Sequence, residues 1–550
     1  MGTQNLFPLL LNFDNNSTLL LVFIALLLTF LWFNRKPEKA PLPPGPFRFP
    51  FVGSLSILPR FLSNVKRHQL NIDLARDYGR IFSFAFGKTN LVWLNDLETI
   101  KEAFITKGDI ISDRTSDEIS SVLGVSGEFE KYSGQGIGEA NFTRAFKERK
   151  KLALQSMKEF GFGGASLEGR VVEETEFMID ALKDFANPPN GVVKKSTDAH
   201  QRLIHLAVSN VICSVVFGRR FDYEDASFVL AVDAIKFLFS KQRGKQIENI
   251  PFAKYIPAVQ RLVAKEVEQA AHVLSFIDGQ IEVHQESFDG NAEPKDFIDI
   301  CLLKAELDSH LESEGSLNSA KSNGIEVGTE NVKKIIADLF FAGTDTTATS
   351  VLWFVLCMMR YPEIQRRCHE EIDASVEDAR NGGLTKDSIN RFFPYTVAAM
   401  LESQRINSIA NASLPHIVRE DTTIGGYRVP KHSLVLANIR FLHFDERYWK
   451  DPELFDPSRW LDSSIAVPGD DFPGRKVLTH SHFIPYSVGK RRCLGENLAK
   501  AEYLIIGLSL LENFKFCVED DLNPPSMEGQ GLILAPKPFR MVIEQRQRMN

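Results

Sequence analysis

Apolar and polar positions alternate along the chain in several distinct rhythms, each predicting a different kind of element. From Thr18 to Phe33, TLLLVFIALLLTFLWF carries no charge, and with tilt or local bilayer thinning it approaches the roughly 20 residues of a spanning helix. No Lys or Arg precedes this run, whereas Arg35, Lys36 and Lys39 follow it. The positive-inside rule therefore puts the N-terminus in the lumen and the rest of the chain in the cytosol. A cleaved signal peptide is the alternative, but neither its positive start nor its small-residue cleavage site is present. Prolines in PLPPGPFRFPFVG, Pro41 to Gly53, predict a stiff hinge. Apolar residues recurring every three or four positions predict helices over Glu173–Phe185 and Gln201–Phe217. Ala305 to Asn331 is polar, Ser-rich and acidic, the pattern of a mobile surface connection. Next, Val332 to Met359 is apolar on all sides for about eight turns, which predicts a helix through the core. A second membrane span is the rival there, against which AGTDTT interrupts the centre. Gly-Gly and Pro-Lys turns in IGGYRVPKHSLVLAN, Ile424 to Asn438, predict a small antiparallel sheet.

The expected architecture is mainly α with a small β portion, preceded by one transmembrane helix. It divides into a lumenal stretch 1–17, an anchor 18–33, a proline-rich hinge 34–53 and one large domain 54–550. Composition agrees: of 550 residues, 44% are hydrophobic and 25% charged, the balance of a globular chain. A net charge of −7 speaks against a general nucleic-acid binder, so no nucleic-acid partner is expected. Six cysteines, at positions 213, 301, 357, 368, 493 and 517, form no C-x-x-C pair and suggest neither a zinc knuckle nor a disulfide framework.

One cysteine is set apart by its surroundings. Phe483 to Lys500 reads FIPYSVGKRRCLGENLAK, with Cys493 between Gly489 and Gly495, behind Lys490, Arg491 and Arg492, and just before a helical pattern. Cations and a helix N-terminus both favour thiolate. Such a thiolate can be a nucleophile, a redox sensor or a metal ligand, and an inert buried cysteine is the fourth reading.

YSVGKRRCLG resembles the haem-binding loop F-x-x-G-x-R-x-C-x-G of the cytochrome P450 family of haem-thiolate monooxygenases. Three more family signatures follow the family order: AGTDTT at Ala342–Thr347, ESQR at Glu402–Arg405 and FDPSRW at Phe455–Trp460. With the anchor, the PPGP hinge and AVSNVICSVVFGRRFDY at Ala207–Tyr223, the resemblance covers nearly the whole chain and points to the microsomal animal-type branch.

The resemblance implies haem b, with Cys493 as the axial ligand of its iron, where an electron-rich thiolate favours O–O cleavage. Gly489 and Gly495 would let backbone amides approach the sulfur. Tyr486 stands where the family has phenylalanine and adds a hydroxyl needing a partner. Arg491, and His416 in SLPHIV, match contacts to the haem propionates; Phe146 and Lys150 stand where the family has W-x-x-x-R. Thr346 and Asp345 match the alcohol and acid that deliver protons during oxygen activation, and Glu402, Arg405 and Arg459 match a structural triad. Lys147, Arg149, Lys150, Lys151, Lys490, Arg492 and Lys500 are expected to form either a docking patch or a solvated basic face. The chain has no dinucleotide fingerprint and no ferredoxin-like cysteine set, so electrons are expected from an NADPH-dependent flavoprotein reductase, with cytochrome b5 as a second donor. Phe340 to Ala342, Ile409 to Leu414 and Gly529 to Pro536 match substrate-contact regions and are mainly apolar, implying a steroid, fatty acid, terpenoid or xenobiotic. The place implied is the endoplasmic reticulum membrane, single-pass, with the catalytic domain cytosolic. Two rival functions are an isomerase or dehydratase of the same fold that uses no dioxygen, and a non-enzymatic haem sensor.

Overall fold

The computed structural model describes residues 40–49, 53–57, 59–60, 67–86, 89–114, 136–159, 165–186, 199–241, 255–313, 329–381, 383–462, 476–520 and 522–546. The expected lumenal stretch and anchor, and the first residues of the hinge, lie outside these. From residue 40 onward the architecture is mainly helical with small sheets.

The chain enters through α1 (Arg67–Tyr78) and the hairpin β1 (Ile81–Phe86) and β2 (Thr89–Leu94), then α2 (Leu97–Lys101) with a π turn at Glu102–Thr106. Helices α3 (Arg144–Glu159), α4 (Ala165–Ala186), α5 (Ala199–Val216), α6 (Ala226–Lys241), α7 (Pro257–Ser287) and α8 (Phe297–Ser313) follow. Then come α9 (Thr329–Arg360), α10 (Pro362–Asn381), α11 (Lys386–Phe392) and α12 (Pro394–Ile406). The C-terminal part holds β3 (His416–Ile417), β4 (Thr422–Ile424), β5 (Tyr427–Val429), β6 (Leu434–Ala437), α13 (Ile439–His443), α14 (Glu496–Asn513), β7 (Phe514–Cys517), β8 (Gly529–Gln530), β9 (Ala535–Pro536) and β10 (Val542–Gln545).

The periodicities over 173–185 and 201–217 fall in α4 and α5. Helix α5 buries residues on nearly all sides, from Leu203 to Val216, which ordinary amphipathic spacing would not require. The long apolar run is α9, with Val351 to Met359 wholly interior. It has the length and composition of a membrane span, yet most of it is buried in protein, so it is the core helix. Of the polar stretch 305–331, residues 305–313 continue α8 and 329–331 begin α9 instead of forming a connection, and 314–328 lie outside the described residues. The small sheet also differs. Gly425 and Gly426, at φ +57° and +83°, close the antiparallel β4–β5 hairpin, but β6 runs parallel to β2 with Leu91 opposite Leu434. The main sheet is ordered β1-β2-β6-β3.

The proline-rich stretch lies along β1 instead of standing free. Pro44 O accepts from Ser83 N at 2.7 Å and Ala85 O from Ser54 N at 2.7 Å. A side chain at Gly45 would run into the Ser83 carbonyl. The expected triad is buried: Arg405 and Glu402 have no side-chain exposure and pair at 2.7 Å, and Arg459 Nε reaches the same carboxylate at 2.9 Å. Trp460 Nε1 also donates to it at 2.9 Å. With the Asp456 amide at 3.1 Å as the fourth partner, the carboxylate is left with no lone charge, the condition under which a buried ion pair is tolerated.

Candidate functional site

The loop carrying Cys493 is wedged between the π turn after α2 and the start of α14. Gly489 has φ +82°, and a Cβ there would strike the backbone carbonyl of Phe104; close approach to Phe104, not to the sulfur, therefore requires this glycine. Gly495 acts on the sulfur itself, its amide hydrogen-bonding the thiol, while it caps α14.

The three cations before Cys493 do not point at the sulfur. Lys490 pairs with Asp109, Arg492 pairs with Glu496 at 2.5 Å, and Arg491 turns inward. Burial raises the thiol pKa more than the Gly495 amide and Arg492 lower it, with Glu496 adding to the rise. Arg492 and Lys500 are spent on Glu496, so part of the local positive charge is already paired. The neighbouring Tyr486 hydroxyl has its partner in Gln404 of α12, and Lys500 Nζ stands 5.4 Å from the ring centre.

Arg491 donates to the carbonyls of Ser112 and Ile137 at 2.8 and 3.2 Å and to that of Ala140. Its guanidinium lies 3.8 Å over the Phe146 ring, so Phe146, in place of the expected indole, holds the arginine by stacking. Lys150 is half-buried and donates to Lys490 O at 3.0 Å, with Arg491 beside it lowering its pKa after burial. His416 stacks on Phe104 at 3.9 Å and donates Nδ1–H to Ile111 O at 2.8 Å. Burial, then Arg114, push its pKa well below the usual histidine range.

Arg114 is the site residue that motif reading missed. It donates to the carbonyls of Leu414 and Pro415 at 3.0 and 2.6 Å, its Nε is buried without a partner, and burial with Arg491 nearby pushes its pKa down to about 9. Arg491 is pushed down to about 10 by burial. Four basic groups thus gather in the interior, while Asp113, whose charge acts on Arg491, is already paired with Arg419. An orphaned donor and mutually repelling buried cations fit a ligand with carboxylates, and haem carries two.

On α9, Ala342 is exposed and Thr346 half-buried in a stretch whose neighbours Phe340, Thr344, Asp345 and Thr347 are buried. Residues four apart share a helix face, so these two look onto an opening inside the fold. Thr346 Oγ1 donates back to Ala342 O at 2.9 Å, the mid-helix bond its position predicts. Asp345 points elsewhere, into α5, where His205 Nε2 lies 3.1 Å from its Oδ1.

The three apolar regions converge only in part. Phe340 is a core residue, packed against Phe217 and Phe276. Phe341 meets Phe239 of α6 at 4.4 Å, the Phe239 carbonyl accepts from Leu532 N, and the Ile409 carbonyl accepts from Leu534 N. Phe239 was not foreseen, since α6 reads in sequence as one more packing helix.

Arg149 faces inward to Asn331 at 3.1 Å. Lys147, Lys151 and Lys158 are exposed and, with Lys150, Lys490 and Phe142, rim a surface cleft of about 430 Å³.

Comparison with known proteins agrees with this geometry. The family described as Cytochrome P450 matches residues 43–543. Cytochrome P450 2U1 of Bos taurus is 32% identical, over 98% of this chain and 96% of that protein. Cytochrome P450 2J2 of Homo sapiens is 32% identical over 96% and 93%, and Cytochrome P450 2D6 of Homo sapiens is 29% identical over 98% and 99%.

Proposed function

Since the chain belongs to the cytochrome P450 family of haem-binding monooxygenases, we propose that it inserts one oxygen atom from dioxygen into an apolar, lipid-like molecule while anchored in the endoplasmic reticulum membrane by residues 18–33. The observation that carries this reading is the gathering of Arg114, Arg491, Lys150 and His416 in the interior beside the loop of Cys493.

In this reading Cys493 would hold the haem iron through its sulfur, and haem would supply the oxygen-activating chemistry. Gly495 holds the sulfur through its amide, and Gly489 lets the loop close against Phe104. Arg114 and Arg491 would pair with the haem propionates, with Lys150 and His416 beside them. Thr346 presents its hydroxyl to the opening, where it would hold a proton for that chemistry. Phe341, Phe239 and the β8–β9 hairpin line the substrate side and exclude water.

Electrons come from an NADPH-dependent flavoprotein, whose acidic face suits the lysine-rimmed cleft by charge. Membrane attachment beyond the anchor is supported by exposed apolar residues: Phe47 at 61% and Phe49 after the anchor, and Tyr255 at 68% with Ile256 at the start of α7. The test of the central reading is the Soret band of the reduced protein under carbon monoxide. We expect the red-shifted band of thiolate ligation, abolished by Cys493→Ser. An unchanged band in the variant refutes the ligand assignment.

A further inference from the structure

Asp345 and His205 are each nearly inaccessible, at 5% and 4% side-chain exposure, and the hydrogen bonds around them constrain how many protons they hold. His205 Nδ1 lies 2.8 Å from Gln201 O. A carbonyl only accepts, so Nδ1 carries a hydrogen. The other ring nitrogen, Nε2, lies 3.1 Å from Asp345 Oδ1. A neutral imidazole protonated at Nδ1 offers a lone pair at Nε2, and an ionised carboxylate offers only lone pairs. That combination would set lone pair against lone pair and leave a buried negative charge unpaired, which is costly. The contact is a hydrogen bond only if one more proton is present, either as imidazolium facing carboxylate or as neutral imidazole accepting from a carboxylic acid. The opposite tautomer, with hydrogen on Nε2 alone, would press the Nδ1 lone pair onto the Gln201 carbonyl.

We propose that His205 and Asp345 form a buried pair that holds one extra proton, net charge zero, next in sequence to Thr346, and that His205 is the positioning residue that keeps this acid loaded for proton delivery. The proposal rests on the monooxygenase reading for its use and on the hydrogen bonds for its existence. Close packing fixes the pair: a Cβ at Gly343 would meet Ile212 at 3.2 Å, so α9 and α5 abut two residues from Asp345. The other carboxyls on helices packed here are engaged elsewhere. Glu174 of α4 bonds Asn210, Arg220 and Tyr223, and Glu502 of α14 bonds Thr347. When the pair gives up its proton, it is left as neutral imidazole beside carboxylate, net charge −1. Net uptake of one H+ from bulk solvent then restores it. No electron moves in this step. The instability of the emptied pair, a carboxylate facing a lone pair, favours reloading.

Two measurements on the full haem-loaded chain test this. The first needs no turnover. In the diamagnetic ferrous carbon monoxide form, ¹⁵N-histidine NMR identifies His205 by the resonance lost in His205→Gln, and infrared difference against Asp345→Asn identifies a carboxylic acid band. We expect, near pH 7, either both His205 nitrogens protonated or an Asp345 acid band. A singly protonated His205 with Asp345 ionised overturns the proposal. The second is reconstituted turnover. General acid–base assistance contributes about 10²–10⁴-fold, so His205→Gln should lower product per reductant consumed by about tenfold or more, with hydrogen peroxide making up the difference. Its carbon monoxide band should persist. Coupling equal to the parent overturns the role of His205. If His205→Gln fails to load haem, His205→Asn supplies both the missing resonance and the coupling measurement. A parent that makes no product from any lipid while keeping the proton signature would refute the monooxygenase reading and leave the pair standing.

Discussion

A hydroxyl, a carboxyl and a guanidinium illustrate how single side chains divide the labour inside this domain. Thr346 faces the opening, so Thr346→Ala should keep haem and substrate binding while product formation falls about 10²–10⁴-fold and hydrogen peroxide rises; product, peroxide and reductant consumed in one reaction decide it. Arg114 has a buried, unpartnered Nε. Hydrogen bonds involving a charged group contribute about 1.5–3 kcal/mol, so Arg114→Gln should weaken haem retention by about tenfold or more, read by haem transfer to an apoprotein acceptor. Glu502 has its carboxyl pushed up to about 8 by burial, and its Oε1 has no partner. A raised carboxyl pKa means the folded state resists ionisation, so the penalty is absent below the ordinary value of 4.5 and grows as pH rises toward 8. Glu502→Gln should therefore gain thermal stability over the parent across that window, by about 1–3 kcal/mol at its upper end. Motif spacing made Cys493, Arg491 and Thr346 legible because each lies in a short local signature. Arg114, His205 and Phe239 were not, because their partners lie hundreds of residues or a whole helix away and no local pattern marks the meeting.

Among elements, legibility followed the range of the interaction. Helices α5 and α9 are written in their own periodicity, and the β4–β5 hairpin in its Gly-Gly turn. The parallel pairing of β6 with β2 joins residues more than 300 positions apart, and short apolar runs say nothing about which distant strand they meet. Polarity misled over 305–313, where a polar composition belongs to the last turns of α8. The junction of α7 and α8 carries a pH dependence of its own. His284 Nε2 lies 2.8 Å from Asp296 Oδ2, and Asp296 Oδ1 accepts from Asp299 N in the first turn of α8. Although burial lowers the His284 pKa, Asp296 and the Gln280 carbonyl outweigh it and raise it above 6.5. This raised pKa contributes stability that is fully present below 6.5 and lost as pH rises through the folded value. His284→Gln should cost about 1–2 kcal/mol at acidic pH and progressively less at alkaline pH, measured by urea unfolding across the range.

For the whole molecule, the buried triad on Glu402 ties α12 to the segment 452–460 that precedes the Cys493 loop. Removing one partner of a buried pair costs about 3–5 kcal/mol, so Glu402→Ala should lower the yield of haem-loaded protein, checked by the ratio of haem absorbance to protein. In the proposed arrangement, removing residues 1–33 should weaken membrane association while haem stays bound, with some attachment left through Phe47, Phe49, Tyr255 and Ile256. Flotation of the truncated protein with vesicles measures both.

The stretch from Pro41 to Ser54 has a consequence for where the chain can be cut. β1 is an outer strand of the main sheet, and an outer strand with free amides and carbonyls is a template for pairing with other chains. Here Pro44, Ser54 and the Gly53–Phe86 bridge occupy that edge, while Asp113 pairs with Ile417 on the opposite edge strand, β3. A truncation ending before Pro41 keeps the sheet closed on both sides. One that ends after Ser54 opens an edge lined by the apolar side chains of IFSFAF, and the product should pass from monomer to aggregate although nothing of the haem site has been removed.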